Sequence, residues 1–369
     1  MGFYELLQSH DWDKTKDDIY SKSSNDVVRA LESDQLTVDD FKALISPAAS
    51  PYLEEMAQQS RMKTLRRFGR TIQMYVPLYL SNECTNFCIY CGFNHENSVS
   101  RLTLNSVQIL EEVEAIKKLG FEHLLLVTGE HPVKAGFFYL KDTIRLLKEH
   151  FKLISIEVAP MDTEQYKELV GLGLNSVYIY QETFHEKRYN VYHPKGKKAN
   201  FRYRLETPER LGQAGAYKTG LGCLLGLEDW RVDSFFTALH LDYLRRNYWR
   251  TKYSIAFPRL RPHVGSFQPN SIISDRELVQ LICAYRLFDE NVELSLSTRE
   301  SAKFRDRLVH LGITTMSAGS STEPGGYANK NRSLEQFSIS DARSPEEVKN
   351  QIQAAGYEAV WKDWDSYLQ

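Results

Sequence analysis

The sequence predicts a closed (βα)8 barrel of TIM-like architecture, preceded by a helical extension and followed by a helical tail. Three observations point there. After residue 70, short apolar runs rich in β-branched and aromatic residues alternate with longer amphipathic stretches, the pattern of parallel strands joined by helical crossovers. Eight such runs occur, which suits a sheet closed on itself better than an open one. The polar and charged residues that break the pattern gather just after the runs, where such a barrel builds its pocket.

Residues 1–70 read as charged and helical, without a strand. Thr37-Val-Asp-Asp-Phe-Lys-Ala-Leu-Ile has the form of a capped helix, and 51–67 forms another. This extension is expected to close one end of the barrel. The eight strands are expected at 72–80, 123–127, 153–158, 176–180, 221–227, 253–257, 292–297 and 313–316. Between them, a helix over 105–119 places Ile109, Val113 and Ile116 on one face and stops at Gly120. Stretches 230–248, 274–288 and 298–311 behave alike, with Asp275 and Thr298 as expected caps. The tail from Ser333 reads as a loop, a helix over 345–355 and an aromatic ending. The expected units are 1–70, a barrel over 71–330, and a tail over 331–369.

Composition adds class rather than identity. The 369 residues are 42 % hydrophobic and 25 % charged, ordinary for a globular chain with a large core. Net charge is −2, from 46 basic against 48 acidic residues, so no bulk field favours nucleic acid. The basic runs Lys195-Gly-Lys-Lys198 and 61–70 read as solvated faces. The start carries no basic segment followed by an apolar run, and no stretch approaches the ~18 apolar residues of a membrane span. A cytoplasmic protein without nucleic-acid or membrane partners is expected, in a compartment that keeps thiols reduced. Cys223 and Cys283 lie in apolar sequence and read as small buried hydrophobes.

The remaining cysteines carry the chemistry. Cys84, Cys88 and Cys91 follow the first strand with Cys-x3-Cys-x2-Cys spacing, and Tyr90 precedes the last. Thiolates so spaced can hold three corners of a cubane iron–sulfur cluster. No fourth cysteine is near, so one iron would keep an open position able to bind a small molecule. The other reading is a zinc site that borrows His95. Such sites need four protein ligands, commonly in two separated pairs.

Other candidates sit at strand ends. Thr128-Gly129-Glu130 ends the second, Glu157 the third, Gln181-Glu182-Thr183 the fourth, and Ser297-Thr298-Arg299-Glu300 the seventh; a Gly- and Ser-rich run from Ser317 to Tyr327 follows the eighth. Each has a plain alternative. Gly129 serves a tight turn or admits a ligand close to the backbone. Glu157 is a satisfied buried carboxylate or a site group. Arg299, expected in the first turn of a helix, is poorly placed for the helix dipole. That suggests a job such as a two-point grip on a carboxylate.

The cysteine motif with Tyr90, followed by Thr128-Gly129-Glu130, resembles the radical S-adenosylmethionine (SAM) enzymes. Tyr180-Gln-Glu-Thr-Phe-His, Tyr192-His-Pro-Lys-Gly, the 317–327 run and Trp361-Lys-Asp-Trp-Asp are similar to the tyrosine lyases of thiamine biosynthesis within them. The resemblance implies a barrel of the radical SAM type, a 4Fe-4S cluster on Cys84, Cys88 and Cys91, and SAM on the open iron. Reductive cleavage of SAM would release methionine and a 5′-deoxyadenosyl radical. That radical would take hydrogen from the amino group of L-tyrosine, whose Cα–Cβ bond breaks to give 2-iminoacetate (dehydroglycine) and p-cresol. By the same resemblance, Tyr90 would lie near the adenine. Gly129 and Glu130 would meet the methionine end, and Glu157, Glu182 and Arg204 would contact ribose or carboxylate. Arg299, with Ser317 and Ser320, would hold the tyrosine carboxylate. Implied partners are a thiazole synthase subunit (ThiG) and a low-potential electron donor of flavodoxin or ferredoxin type. A related tyrosine lyase of hydrogenase maturation carries a second cysteine cluster near its C-terminus; here the last cysteine is Cys283. A tryptophan lyase is a further relative.

Overall fold

A computed structural model describes residues 2–328 and 335–362. Nine strands form one parallel sheet: β1 (Thr71–Ser81), β2 (His123–Thr128), β3 (Leu153–Glu157), β4 (Ser176–Tyr178), β5 (Lys218–Leu221), β6 (Lys252–Ala256), β7 (Glu293–Leu296), β8 (Thr315–Ser317) and β9 (Glu358–Val360). β1 to β8 neighbour one another in sequence order, and β1 pairs with both β2 and β8, which closes the barrel. Register is set by pairs such as Val76 with Leu124 and Met74 with Met316.

Alternation along the strands separates two apolar layers. Met74, Val76, Leu78 and Leu80 of β1, with Leu124 and Leu126 of β2, join the large core toward the helix ring. Tyr79, Leu125, Val127 and Tyr178 form a smaller cluster that Tyr75, Tyr180 and two site cysteines join. Successive strand residues point to opposite faces, so the second set fills the barrel interior. At Gly220 a Cβ would come within 2.0 Å of the Tyr178 ring, so glycine makes room for an interior aromatic.

Several expectations shift. β5 ends at Leu221, where the apolar run was expected to begin. The run 221–227 contains Gly222 and Gly226 (φ +131°), and its Leu224 and Leu227 pack instead on Cys88, Tyr90 and Tyr192. It is apolar because it beds the cysteine loop. Lys218 disguised the true strand: it is buried inside the sheet and paired with Glu293 at 2.6 Å. The helix after β7 spans Ala302–Leu308, capped by Ser301 rather than Thr298. Helix Asp275–Phe288 is capped by Ser274 rather than Asp275. Arg299 therefore lies in a turn before the helix, not in its first turn.

The N-terminal helices lie along the outside of the barrel. Helices Val38–Ile45 and Leu53–Phe68 pack on Asp275–Phe288, and Val38–Ile45 also on Trp230–Asn247. Phe3 stacks on His240 at 3.7 Å, and Phe41 packs on Tyr285 and Phe288. In the tail, helix Pro345–Ala354 leads into β9, which pairs with the first residues of β1. Residues 329–334 and the aromatic ending beyond Lys362 lie outside the described residues.

Candidate active site

The cysteine loop leaves β1 at an irregularity in register between Tyr79 and Ser81 and has no regular structure of its own. Protein groups hold it on every side. Arg101 donates to the carbonyls of Asn82 (2.7 Å), Phe93 (3.0 Å) and Asn94 (2.7 Å). The Tyr192-His-Pro-Lys-Gly segment lies alongside. Phe87 N–H donates to Lys195 O, Ile89 N–H to Tyr192 O, and Lys198 N–H to Asn86 Oδ1. Tyr90 O–H reaches His193 Nε2 at 2.7 Å, and His193 Nδ1 faces Tyr189 O at 2.9 Å. Nδ1 can only donate to that carbonyl, so Nε2 accepts from the phenol. A Cβ on Gly129 would come within 2.3 Å of Glu83 O, and Gly129 N–H donates to Ser81 O. Gly129 lines the cavity, but its missing side chain is required by the loop backbone.

One cavity brings together Cys84, Cys88, Cys91, Tyr90, Gly129, Glu130, Glu157, Glu182, Arg204 and Arg299. Burial raises all three thiols, Cys84 to about 11. Such thiols ionise only against positive charge, which ligated iron supplies. Among the described residues no three Cys, His, Asp or Glu side chains form a group that could hold a single metal ion. His95 instead directs Nδ1 to Cys84 O at 3.1 Å. Three thiols lining one cavity match the three protein corners of a cubane cluster.

The charged residues form a chain. Glu130 accepts from Asn86 (2.7 Å) and Arg204 (2.9 Å), and Arg204 also donates to Tyr180 O at 2.6 Å. Glu182 accepts from Lys198 at 2.7 Å and lies 3.5 Å from Arg204. Burial raises the Glu182 carboxyl, but Lys198 and Arg204 outweigh it and hold it below its ordinary value. Burial and Arg204 depress Lys198, and Glu182, Cys88 and Glu130 more than restore it. Glu182 has φ +71°, the sole left-handed non-glycine among the described residues. Its neighbours fix that turn: Thr183 O–H and Phe184 N–H both donate to the Oδ1 of the buried Asp233.

Two site groups lack such partners. Among the described residues the Glu157 side chain has no hydrogen-bond partner, and burial, only partly opposed by Arg299, lifts its carboxyl to about 7. No carboxylate lies within ion-pair distance of Arg299 among the described residues. Its guanidinium stacks on the Phe337 ring, 3.3 Å from the centroid, and reaches Arg259 O at 3.4 Å. Arg299 and Glu157 also face an inner chamber lined by Tyr75, Tyr79, Tyr180, Phe257, Ser317 and Ser320. There Ser317 Oγ accepts from Thr298 N–H, and the buried Ser320 Oγ is unpartnered. The two serines thus share a chamber with Arg299, and none of the site cysteines lines it. Lys198, Asn86, Gln336 and Phe337 line the main cavity and were not anticipated. Lys198 had read as part of a solvated basic run, yet it is half-buried, with its ammonium in the site.

Residues 78–239 match the Radical SAM superfamily and residues 256–358 the Biotin and Thiamin Synthesis associated domain. The chain is 53 % identical over 367 residues to the 2-iminoacetate synthase of Escherichia coli (strain K12), covering 99 % of this chain and 97 % of that one. It is 51 % identical to the Salmonella typhimurium enzyme of the same name, with the same coverage. A crystal structure of HydG, a maturase of FeFe-hydrogenase, superposes with a TM-score of 0.89 at 29 % identity, covering 95 % of this chain and 80 % of that one. Methylornithine synthase (PylB) shares the fold, with a TM-score of 0.73 at 20 % identity over 93 % of this chain and 99 % of that one. Full-length likeness at this level, on a barrel with three thiols at its mouth, shows that the chain belongs to the 2-iminoacetate synthase family of radical SAM enzymes.

Proposed function

We propose that the outer cavity holds a 4Fe-4S cluster and SAM, and that the inner chamber holds L-tyrosine with its carboxylate on Arg299. On this reading the chain is a carbon–carbon lyase. It cleaves the Cα–Cβ bond of L-tyrosine to 2-iminoacetate and p-cresol, with 5′-deoxyadenosine and methionine as co-products, and supplies the glycine-derived unit for thiazole formation in thiamine biosynthesis. The observation that carries the site assignment is one cavity lined by Cys84, Cys88 and Cys91 and also by Arg299, whose guanidinium has no carboxylate within ion-pair distance among the described residues.

When bound, the cluster and SAM supply one-electron chemistry that removes a hydrogen atom from the tyrosine amino group. The chain's own residues position and exclude. Cys84, Cys88 and Cys91 would hold the cluster, and the Tyr90 ring would flank the adenine. Glu130 would accept from the methionine ammonium beside Gly129, with Glu157, Glu182 and Arg204 meeting ribose or carboxylate. The free edge of Arg299 would take the tyrosine carboxylate in two-point fashion, with Ser317 and Ser320 below it. Interior tyrosines and Phe257 line the chamber and keep bulk water from a reactive centre. A low-potential donor of flavodoxin or ferredoxin type and a thiazole synthase subunit (ThiG) are proposed partners. The first would deliver the electron; the second would receive an imine that water destroys.

Anaerobic incubation with reductant, SAM and L-tyrosine is expected to yield p-cresol and 5′-deoxyadenosine. Products from tryptophan alone would reject the substrate. Iron and acid-labile sulfide near four each per chain are expected of the reconstituted protein; one zinc and no sulfide would reject the cluster.

A further inference from the structure

Two adjacent residues in the tail segment that crosses the barrel mouth touch opposite halves of the site. The Gln336 amide is oriented by its partners. Its Oε1 accepts from Tyr79 O–H at 2.8 Å, which leaves Nε2 to donate, and Nε2 faces Cys91 Sγ at 3.7 Å. The Gln336 backbone is pinned as well. Its N–H donates to Thr322 O (3.1 Å) and its carbonyl accepts from Gly92 N–H (3.3 Å). A Cβ on Gly92 would come within 2.7 Å of that carbonyl, so glycine is needed beside Cys91 for the tail to approach. The next residue, Phe337, carries the Arg299 guanidinium on its ring face. Cation–π stacking leaves the in-plane N–H edge of arginine free for a carboxylate.

A hydrogen bond to a ligating thiolate draws charge from a cluster and raises its reduction potential. We infer that Gln336 and Phe337 form one positioning element. Gln336 sets the potential of the cluster through Cys91, and Phe337 holds Arg299 for the substrate carboxylate. Occupation of the Arg299 site is therefore transmitted to the cluster through a single peptide unit. This inference rests on the proposed function.

The test uses the full chain with its cluster rebuilt anaerobically and SAM present. Its readouts are the cluster midpoint potential, followed by electron spin resonance with and without L-tyrosine, and tyrosine affinity by calorimetry. In wild type, tyrosine is expected to shift the potential. Gln336→Leu should show a more negative potential without tyrosine and no shift with it. Phe337→Leu should keep the wild-type potential without tyrosine but bind tyrosine on the order of tenfold more weakly. A Gln336→Leu potential equal to wild type, an undiminished tyrosine shift in that variant, or unchanged affinity in Phe337→Leu would each overturn the inference. Should Gln336→Leu fail to retain iron, Gln336→Asn takes its place. That shorter amide stays polar but falls short of Cys91, so the same downward shift is expected and its absence is equally decisive. Wild-type protein that binds no tyrosine would overturn the substrate reading, wild-type protein that binds it without a shift in potential would overturn the transmission, and in either case the potential of the Gln336 variants would still decide the contact with Cys91.

Discussion

Arg299 and Glu157 are the two site residues whose charge the protein leaves least compensated. Arg299→Ala is expected to weaken tyrosine binding by an order of magnitude or more, with SAM cleavage largely retained. Separate titrations of tyrosine and SAM check this, and equal loss of both would reject the carboxylate role. Arg299→Lys should rescue little, since an ammonium lacks the planar fork. Glu157 makes a pH prediction. Its carboxyl is raised from the ordinary range to about 7 in the folded chain. The folded state therefore holds the proton more tightly than the unfolded one, and stability from this group falls as pH rises from about 4.5 through 7. Without cofactors, Glu157→Gln should melt higher than wild type at pH 8, by about 1–3 kcal/mol of unfolding free energy, and show no advantage at pH 4.5. A constant difference across that range would assign the raised carboxyl no role. Cys84, Cys88 and Cys91 were legible because their spacing is covalent and local. Lys198 was not: three lysines within four residues look solvated until the partners, Glu182 and Cys88, arrive from other elements.

Among elements, the turn after β4 shows how the site is shaped from behind. Asp233, on helix Trp230–Asn247, is fully buried and accepts from Thr183 and Phe184, the two residues that follow the left-handed Glu182. Backbone held in that region costs of order 1 kcal/mol or more and persists only where surroundings impose it. Asp233→Leu strands a buried N–H and a hydroxyl, so a loss of roughly 2–4 kcal/mol is expected in denaturant unfolding. Asp233→Asn keeps an acceptor and should lose far less. Equal losses would mean packing, not these hydrogen bonds, sets the turn. Strand order could be read from periodicity, yet β5 was displaced. A buried Lys218 hid its start, and an apolar loop bedding the cysteines extended its apparent end. Gln336 and Phe337 were illegible because the tail around Ser333 has no periodicity and earns its place only by tertiary contact.

At the scale of the whole molecule, the N-terminal helices act as a jacket. They cover apolar faces of Trp230–Asn247 and Asp275–Phe288, helices buried around much of their circumference. Deleting residues 1–70 would bare those faces, and exposed patches of that kind drive association. The truncated chain is expected to aggregate in light scattering; a soluble monomer with an intact barrel would contradict this.

The anchors around Cys84–Cys91 have a consequence for durability. The Arg101 guanidinium and the backbone of the 192–198 segment grip the loop, the latter partly through the Asn86 amide, and none of these groups is an iron ligand. Oxygen that strips the iron would leave a socket still shaped for refilling, so damage of this kind should be repairable without refolding. Repeated rounds of chelation and anaerobic rebuilding should return the same spectrum each time.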